Sequence, residues 1–271
     1  MDEHGQSDAK IVEVRDLVVA YNDLVVLDRV SMDVRRGETL VILGGSGSGK
    51  STLLRHMIGL ESPRSGQILI KGRDITRMSE AEMYSILRKV GVVFQSSALF
   101  NSMSVGDNVA LPLREHTRLE ESTIQIMTRI KLEMVGLSGF ENYLPDELSG
   151  GMKKRAGFAR AIAMDPEILF CDEPSAGLDP IIGAGLDQLL LKLKRALRMT
   201  IVVVTHEMPS VYTIADRLIM LHRGKIIFAG TLEDFRSCEN ERVRQFIERR
   251  PEAFDEQDAG RYVRALTEDH F

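Results

Sequence analysis

Apolar positions along the chain follow two rhythms. From Ile11 to Val19, and again from Val25 to Val34, apolar and polar residues alternate, which predicts half-solvated antiparallel strands. Thr39–Leu43 is nearly all apolar and predicts a strand covered on both faces. After a glycine-rich loop, STLLRHMIGL predicts a helix. Further strands are expected at Gly66–Ile70, Val90–Phe94, Ile168–Cys171 and Ile201–Val204. From Ser104 to about Met164 the pattern is mostly helical, through NVALPLREH, ESTIQIMTRIKLEMVG and GGMKKRAGFARAIAMD, and Ile182–Ala196 predicts another helix. Arg217–Leu221 and Lys225–Phe228, split by His222, Arg223 and Gly224, predict a closing hairpin. Strands alternating with helices around an apolar central strand predict an α/β core with a parallel sheet and a helical insertion near the middle.

Composition narrows this picture. With 271 residues, 44% of them hydrophobic and 28% charged, the chain can bury one substantial core, or one core and a small subdomain. Wholesale disorder is excluded. The longest apolar runs, TLVILG, EILFC and TIVVVT, are strand-length and fall far short of the roughly 18–20 residues of a membrane-spanning helix. MDEHGQSDAK is polar and acidic and does not read as a signal peptide. Two cysteines, Cys171 and Cys238, exclude a disulfide scaffold and a cysteine-rich zinc site. A net charge of −5 argues against nucleic acid as the main partner. A reduced, cytoplasmic chain is expected, touching a membrane only through a partner.

Candidate chemistry begins at GGSGSGKS: Gly44, Gly45, Ser46, Gly47, Ser48, Gly49, Lys50 and Ser51, with Thr52 next. In isolation this would suit a flexible turn. Between a buried strand and a helix it predicts a phosphate cradle, with backbone N–H groups converging and the helix adding its positive end. Lys50 would reach the β- and γ-phosphates of a nucleotide, and the Ser51 hydroxyl would ligate Mg²⁺. ILFCDEP supplies the matching carboxylates: Asp172 for the Mg²⁺ shell and Glu173 to polarise an attacking water. Adjacent strand residues point to opposite faces, but Glu173 lies at the strand's end, where the chain can turn it toward the phosphate. LSGG, with Ser149, Gly150 and Gly151, precedes a long helical stretch. It suits either a plain Ser N-cap or a second anion site. With one cradle already present and no second P-loop, a nucleotide shared between two chains is expected.

The order of Tyr21, GGSGSGKS, Gln95, LSGG, ILFCDEP, SAGLD and His206 resembles the ATP-binding-cassette ATPases, over about residues 11 to 230. The resemblance implies a P-loop NTPase with a RecA-like core, an antiparallel β subdomain and a helical subdomain near residues 97–163. It implies an ATPase domain over 1–231 and an extension over 232–271. It assigns Tyr21 to adenine stacking, Gln95 to sensing Mg²⁺, and Ser149–Gly151 to the γ-phosphate on the opposite protomer. Asp179 would link the two sites, and His206 would contact the γ-phosphate. ATP and Mg²⁺ are the implied cofactors, a homodimer the ATP-bound state, and an integral membrane permease the partner. The usual signature ends in Gln; here Met152 is followed by Lys153, Lys154 and Arg155. That variant, with SAGLDPI and LFNSMSVGDNVALPL, looks like the ATPases of Mla-type phospholipid-trafficking systems built around MCE proteins. Such a complex implies a place on the cytoplasmic side of the inner membrane, with a periplasmic MCE protein and a small cytosolic regulatory subunit as further partners. A solute importer and a non-transport regulatory ATPase are the alternatives.

Past the motifs, Leu232–Ile247 predicts one helix with Phe235, Val243, Phe246 and Ile247 apolar. Residues 251–271 carry six acidic residues against two arginines, yet Tyr262, Val263 and Leu266 cluster at helical spacing. This segment is expected to pack across the dimer.

Overall fold

β1 (Lys10–Tyr21) and β2 (Leu24–Arg35) each bury one face, with Val12, Val14, Leu17 and Val19 turned inward from β1. They pair antiparallel. The computed structural model describes residues 9–22 and 24–250; the expected packing of residues 251–271 lies outside them. The other strands are β3 (Thr39–Leu43), β4 (Ser65–Ile70), β5 (Arg73–Asp74), β6 (Val90–Val93), β7 (Ile168–Asp172), β8 (Thr200–Thr205), β9 (Arg217–His222) and β10 (Lys225–Thr231). The helices are α1 (Lys50–Met57), α2 (Glu80–Leu87), α3 (Val105–His116), α4 (Glu121–Met134), α5 (Gly150–Ala161), α6 (Pro180–Leu197), α7 (Met208–Ile214), α8 (Leu232–Ser237) and α9 (Glu241–Ile247).

Two sheets result. One is antiparallel, in the order β2-β1-β4-β5; the other runs β10-β9-β3-β8-β7-β6. In the second, β9, β3, β8, β7 and β6 are parallel and β10 closes the edge as an antiparallel hairpin. Side chains of its central strands alternate between two cores. Val41, Leu43, Leu169, Cys171, Ile201 and Val203 face the helices α3–α9. Leu40, Ile42, Ile168, Phe170, Val202 and Val204 face α1 and the antiparallel sheet. Covering both faces explains the unbroken apolar runs.

The expected α/β architecture, antiparallel sheet and closing hairpin are present. Three elements have no counterpart in the hydrophobic pattern: β5, α2 and α7. α2 buries only Ile86, so its apolar stripe is nearly absent; it is set by a capping box between Ser79 and Glu82. The single helix expected over Leu232–Ile247 is two helices. Cys238 turns extended, and the Asn240 side chain accepts from the N–H groups of Arg242 and Val243 at 3.0 and 3.4 Å, starting α9 anew. The apolar positions are nonetheless used, and Phe235 and Val243 are fully buried. Among the described residues, no helix is long and apolar enough to cross a membrane.

Candidate functional site

In parallel sheets of this kind ligands bind beyond the carboxyl ends of the strands. Here four of those ends, on β6, β7, β8 and β3 in spatial order, lead into the residues singled out by sequence. The loop after β3 spans Gly44–Gly49 and enters α1 at Lys50, Ser51 and Thr52. Gly49 adopts φ +102, and a Cβ there would lie 2.6 Å from Leu27 Cδ2, so a side chain at the helix entry would strain the backbone and displace Leu27. Lys50 is buried and its Nζ donates to the Gly45 carbonyl at 2.9 Å. Burial pushes the ammonium down from its usual range, opposed by the nearby Glu173 and Asp172. Inside the loop, Ser48 Oγ is buried without a hydrogen-bond partner, an orphan that a ligand oxygen would satisfy.

β7 delivers the carboxylates. Ser51 Oγ donates to Asp172 Oδ1 at 3.2 Å, joining the cradle to the strand end. Burial raises the Asp172 carboxyl above its ordinary range, with the Ser51 hydrogen bond acting against it. Glu173 makes the turn that its position demands: φ is +46, a left-handed conformation costing of order 1–3 kcal/mol. Its N–H donates to the Val204 carbonyl at 2.9 Å. Its Oε1 accepts from His206 Nδ1 at 2.8 Å, while Oε2 is buried without a partner. His206, directly after β8, thus meets Glu173 side chain to side chain.

Gln95 follows β6 and is exposed. Tyr21, at the tip of β1, is 46% exposed and its hydroxyl donates to Glu61. Ser149 caps α5, with Oγ accepting from the Met152 N–H at 3.4 Å; Ser149 and Gly150 are exposed, while Gly151 is buried. Asp179 caps α6, accepting from the N–H groups of Ile181 and Ile182, both at 3.0 Å. The structure therefore joins Ser51 to Asp172 and Glu173 to His206 by direct hydrogen bonds, with the Lys50 ammonium near enough to both carboxylates to feel their charge. No hydrogen bond among the described residues joins Ser149–Gly151 to the Gly44–Ser51 loop.

A profile of the family described as ABC transporter matches residues 27–176. The chain belongs to the ABC transporter family. Within that family it is similar to the intermembrane phospholipid transport system ATP-binding protein MlaF of Haemophilus influenzae, 42% identical over 237 residues, 88% of this chain and 90% of that protein. It is 44% identical over 236 residues to a probable ribonucleotide transport ATP-binding protein, mkl, of Mycobacterium leprae, covering 87% of this chain and 68% of that protein. A solved dimeric ATP-binding cassette in a post-hydrolysis state, bound to ADP and Pi, superposes with a TM-score of 0.76. It is 32% identical, over 82% of this chain and 98% of that one. The chain is accordingly an ABC-type ATP hydrolase with a site for ATP.

Sequence reasoning missed two parts of this cassette. Gly224, at the β9–β10 turn, donates its N–H to the Ser48 carbonyl at 3.2 Å and accepts from the Asp28 N–H at 3.0 Å, pinning the phosphate loop to β2. Lys154 is buried on α5, its ammonium pushed down by burial. Its helical spacing from Gly151, Gly157 and Phe158, all buried, was the available signal.

Proposed function

We propose that this chain powers a membrane transporter that moves phospholipid between membranes, binding and hydrolysing ATP as a homodimer attached to an integral permease on the cytoplasmic face of the inner membrane. The observation that carries the ATPase chemistry is the buried, unpartnered Glu173 Oε2 beside the Ser51–Asp172 pair. Lys50 neutralises phosphate charge in the cradle. Glu173, held through Oε1 by His206, presents Oε2 to a water and takes up its proton as the γ-phosphate is attacked. Ser51 Oγ and Asp172 Oδ1, two hard oxygen donors 3.2 Å apart, would hold a magnesium ion. Such an ion would offset the charge developing on the phosphate oxygens. Gln95 is assigned to sensing it, Tyr21 to adenine, and Ser149–Gly151 and Asp179 to the partner protomer's nucleotide.

Phospholipid as cargo is supported by the likeness to MlaF along nearly the whole of both chains and by the LSGGM signature with its basic continuation. The likeness to the mkl protein, at similar identity but over 68% of that protein's length, supports a second reading, a solute importer. Purified with its permease and reconstituted, the complex is expected to move a fluorescent phospholipid in an ATP-dependent manner; ribonucleotide uptake without lipid movement would select the importer instead. For the chemistry, Glu173→Gln should lower ATPase turnover by about 10²–10⁴ while keeping ATP binding. A variant hydrolysing at the parent rate would remove Glu173 from the role of base.

A further inference from the structure

Gln95 and Glu173 stand beyond different strands, β6 and β7, and neither strand's regular geometry fixes them. Past Gln95 the chain passes through two left-handed residues, Ser97 at φ +63 and Ala98 at φ +47, and Glu173 is itself left-handed. One face of α5 runs along this turn at successive helical positions. Lys154 Nζ donates to the Gln95 carbonyl at 2.5 Å. One turn on, Gly157 packs so closely that a Cβ would lie 3.2 Å from Ser97 Cβ. One turn further, Arg160 donates to the carbonyls of Ala98 at 2.7 Å and Ser97 at 3.3 Å. The loop 95–98 is thus strapped to the helix that carries LSGG.

Of these three, Lys154 alone also bonds to the second strand end, donating to the Glu173 carbonyl at 3.4 Å. It is only 6% exposed, and a buried ammonium is costly unless its hydrogen bonds are specific. Those hydrogen bonds go to two main-chain carbonyls, while Glu173, Asp172 and Glu207 act on it through space. A lysine serves this purpose because its long stem reaches across from the helix and its head can donate to two acceptors at once.

We infer that Lys154 is a positioning residue for hydrolysis, tying the backbones of Gln95 and Glu173 to the signature helix so that any displacement of α5 reaches both. The inference rests on the ATPase assignment of Gln95 and Glu173 above. It gives the basic residue after the signature a task inside its own protomer, separate from the exposed Ser149 and Gly150 at the head of the same helix.

The test is Lys154→Met in the full-length chain, which keeps the length of the side chain and tolerates burial. Turnover of ATP is expected to fall about 10–100-fold, the scale of a small displacement of catalytic groups. KM and the Kd for a fluorescent ATP analogue should stay within about threefold, with no loss of thermal stability. In a Gln95→Ala background the same substitution should cost less than it does alone, because one of the groups being positioned is gone. Lys154→Gln, which keeps one donor, should fall between parent and Lys154→Met, and replaces it as the test if the methionine variant fails to fold. Parental turnover in Lys154→Met, losses that multiply with Gln95→Ala, or an equal loss of nucleotide affinity would overturn the inference. A parent chain without ATPase activity would instead overturn the ATPase assignment.

Discussion

Asp187 sits near the middle of α6, 4% exposed. Its carboxyl is pushed up to about 6 by burial, against a hydrogen bond from Ser210 and with the nearby Glu207 adding to the rise. Ser175 Oγ, two residues past Glu173, donates to Glu207 Oε2 at 3.3 Å and lies 3.5 Å from Ser210 Oγ. A polar network therefore backs the loop that holds His206. Because the folded chain binds this proton more tightly than the unfolded one, the group's favourable contribution is complete below about pH 4 and is lost as pH rises through about 6. Above that, the ionised acid is held in the fold at a cost of order 1–3 kcal/mol. Asp187→Asn, which keeps a hydrogen-bonding amide without the charge, should raise Tm by roughly 2–8 °C at pH 8 and leave it unchanged near pH 4. Melting curves across that range decide the matter; identical pH dependence in the two proteins would mean that Asp187 ionises without penalty.

At the scale of elements, the phosphate loop is shaped less by α1 than by what presses on it from outside. The β9–β10 turn reaches it through Gly224, whose φ is +76 and whose added Cβ would lie 2.3 Å from the Val26 carbonyl oxygen. No rotamer relieves a clash with backbone, so Gly224→Ala must move the turn, the phosphate loop or β2. A left-handed alanine and the forced displacement together should cost about 2–4 kcal/mol. Nucleotide affinity should fall at least tenfold, since the Ser48 carbonyl loses its anchor. Titration with a fluorescent nucleotide, beside chemical denaturation, separates the two effects; unchanged affinity in a destabilised variant would show that the anchor does not shape the cradle.

At the scale of the whole molecule, the proposed dimer follows from what one chain leaves unused. The head of α5 exposes Ser149 and Gly150 with no bond to the chain's own cradle. Beside Asp179, Ile181 is apolar and 85% exposed at the head of α6. Both surfaces suit a second copy presenting its nucleotide. Mixing Lys50→Ala chains with Ser149→Arg chains places both lesions in one composite site and leaves the other intact. Part of the ATPase activity should return in mixed dimers although neither homodimer is active. Complete inactivity of verified mixed dimers would count against independent composite sites.

Much of this was legible along the chain because it is local. A strand covered on both faces must be apolar throughout, a tight loop before a helix needs glycine, and a carboxylate at a strand's end needs only the strand. Thus Thr39–Leu43, GGSGSGKS and ILFCDEP determined the parallel core by themselves and pointed to the phosphate chemistry proposed at its strand ends. Other features were settled by packing between segments far apart in sequence. Val204 holds the turned Glu173, α5 brings Lys154 to Gln95, and Gly224 reaches Ser48 across more than 170 positions. Helical spacing could place Lys154 on the buried face of α5 but not name the carbonyls it meets, and neither the left-handed Glu173 nor the break before Asn240 follows from hydrophobic periodicity. Only the tertiary structure could decide them, because the desolvation, steric contact and hydrogen bonds responsible exist only once the distant partners have met.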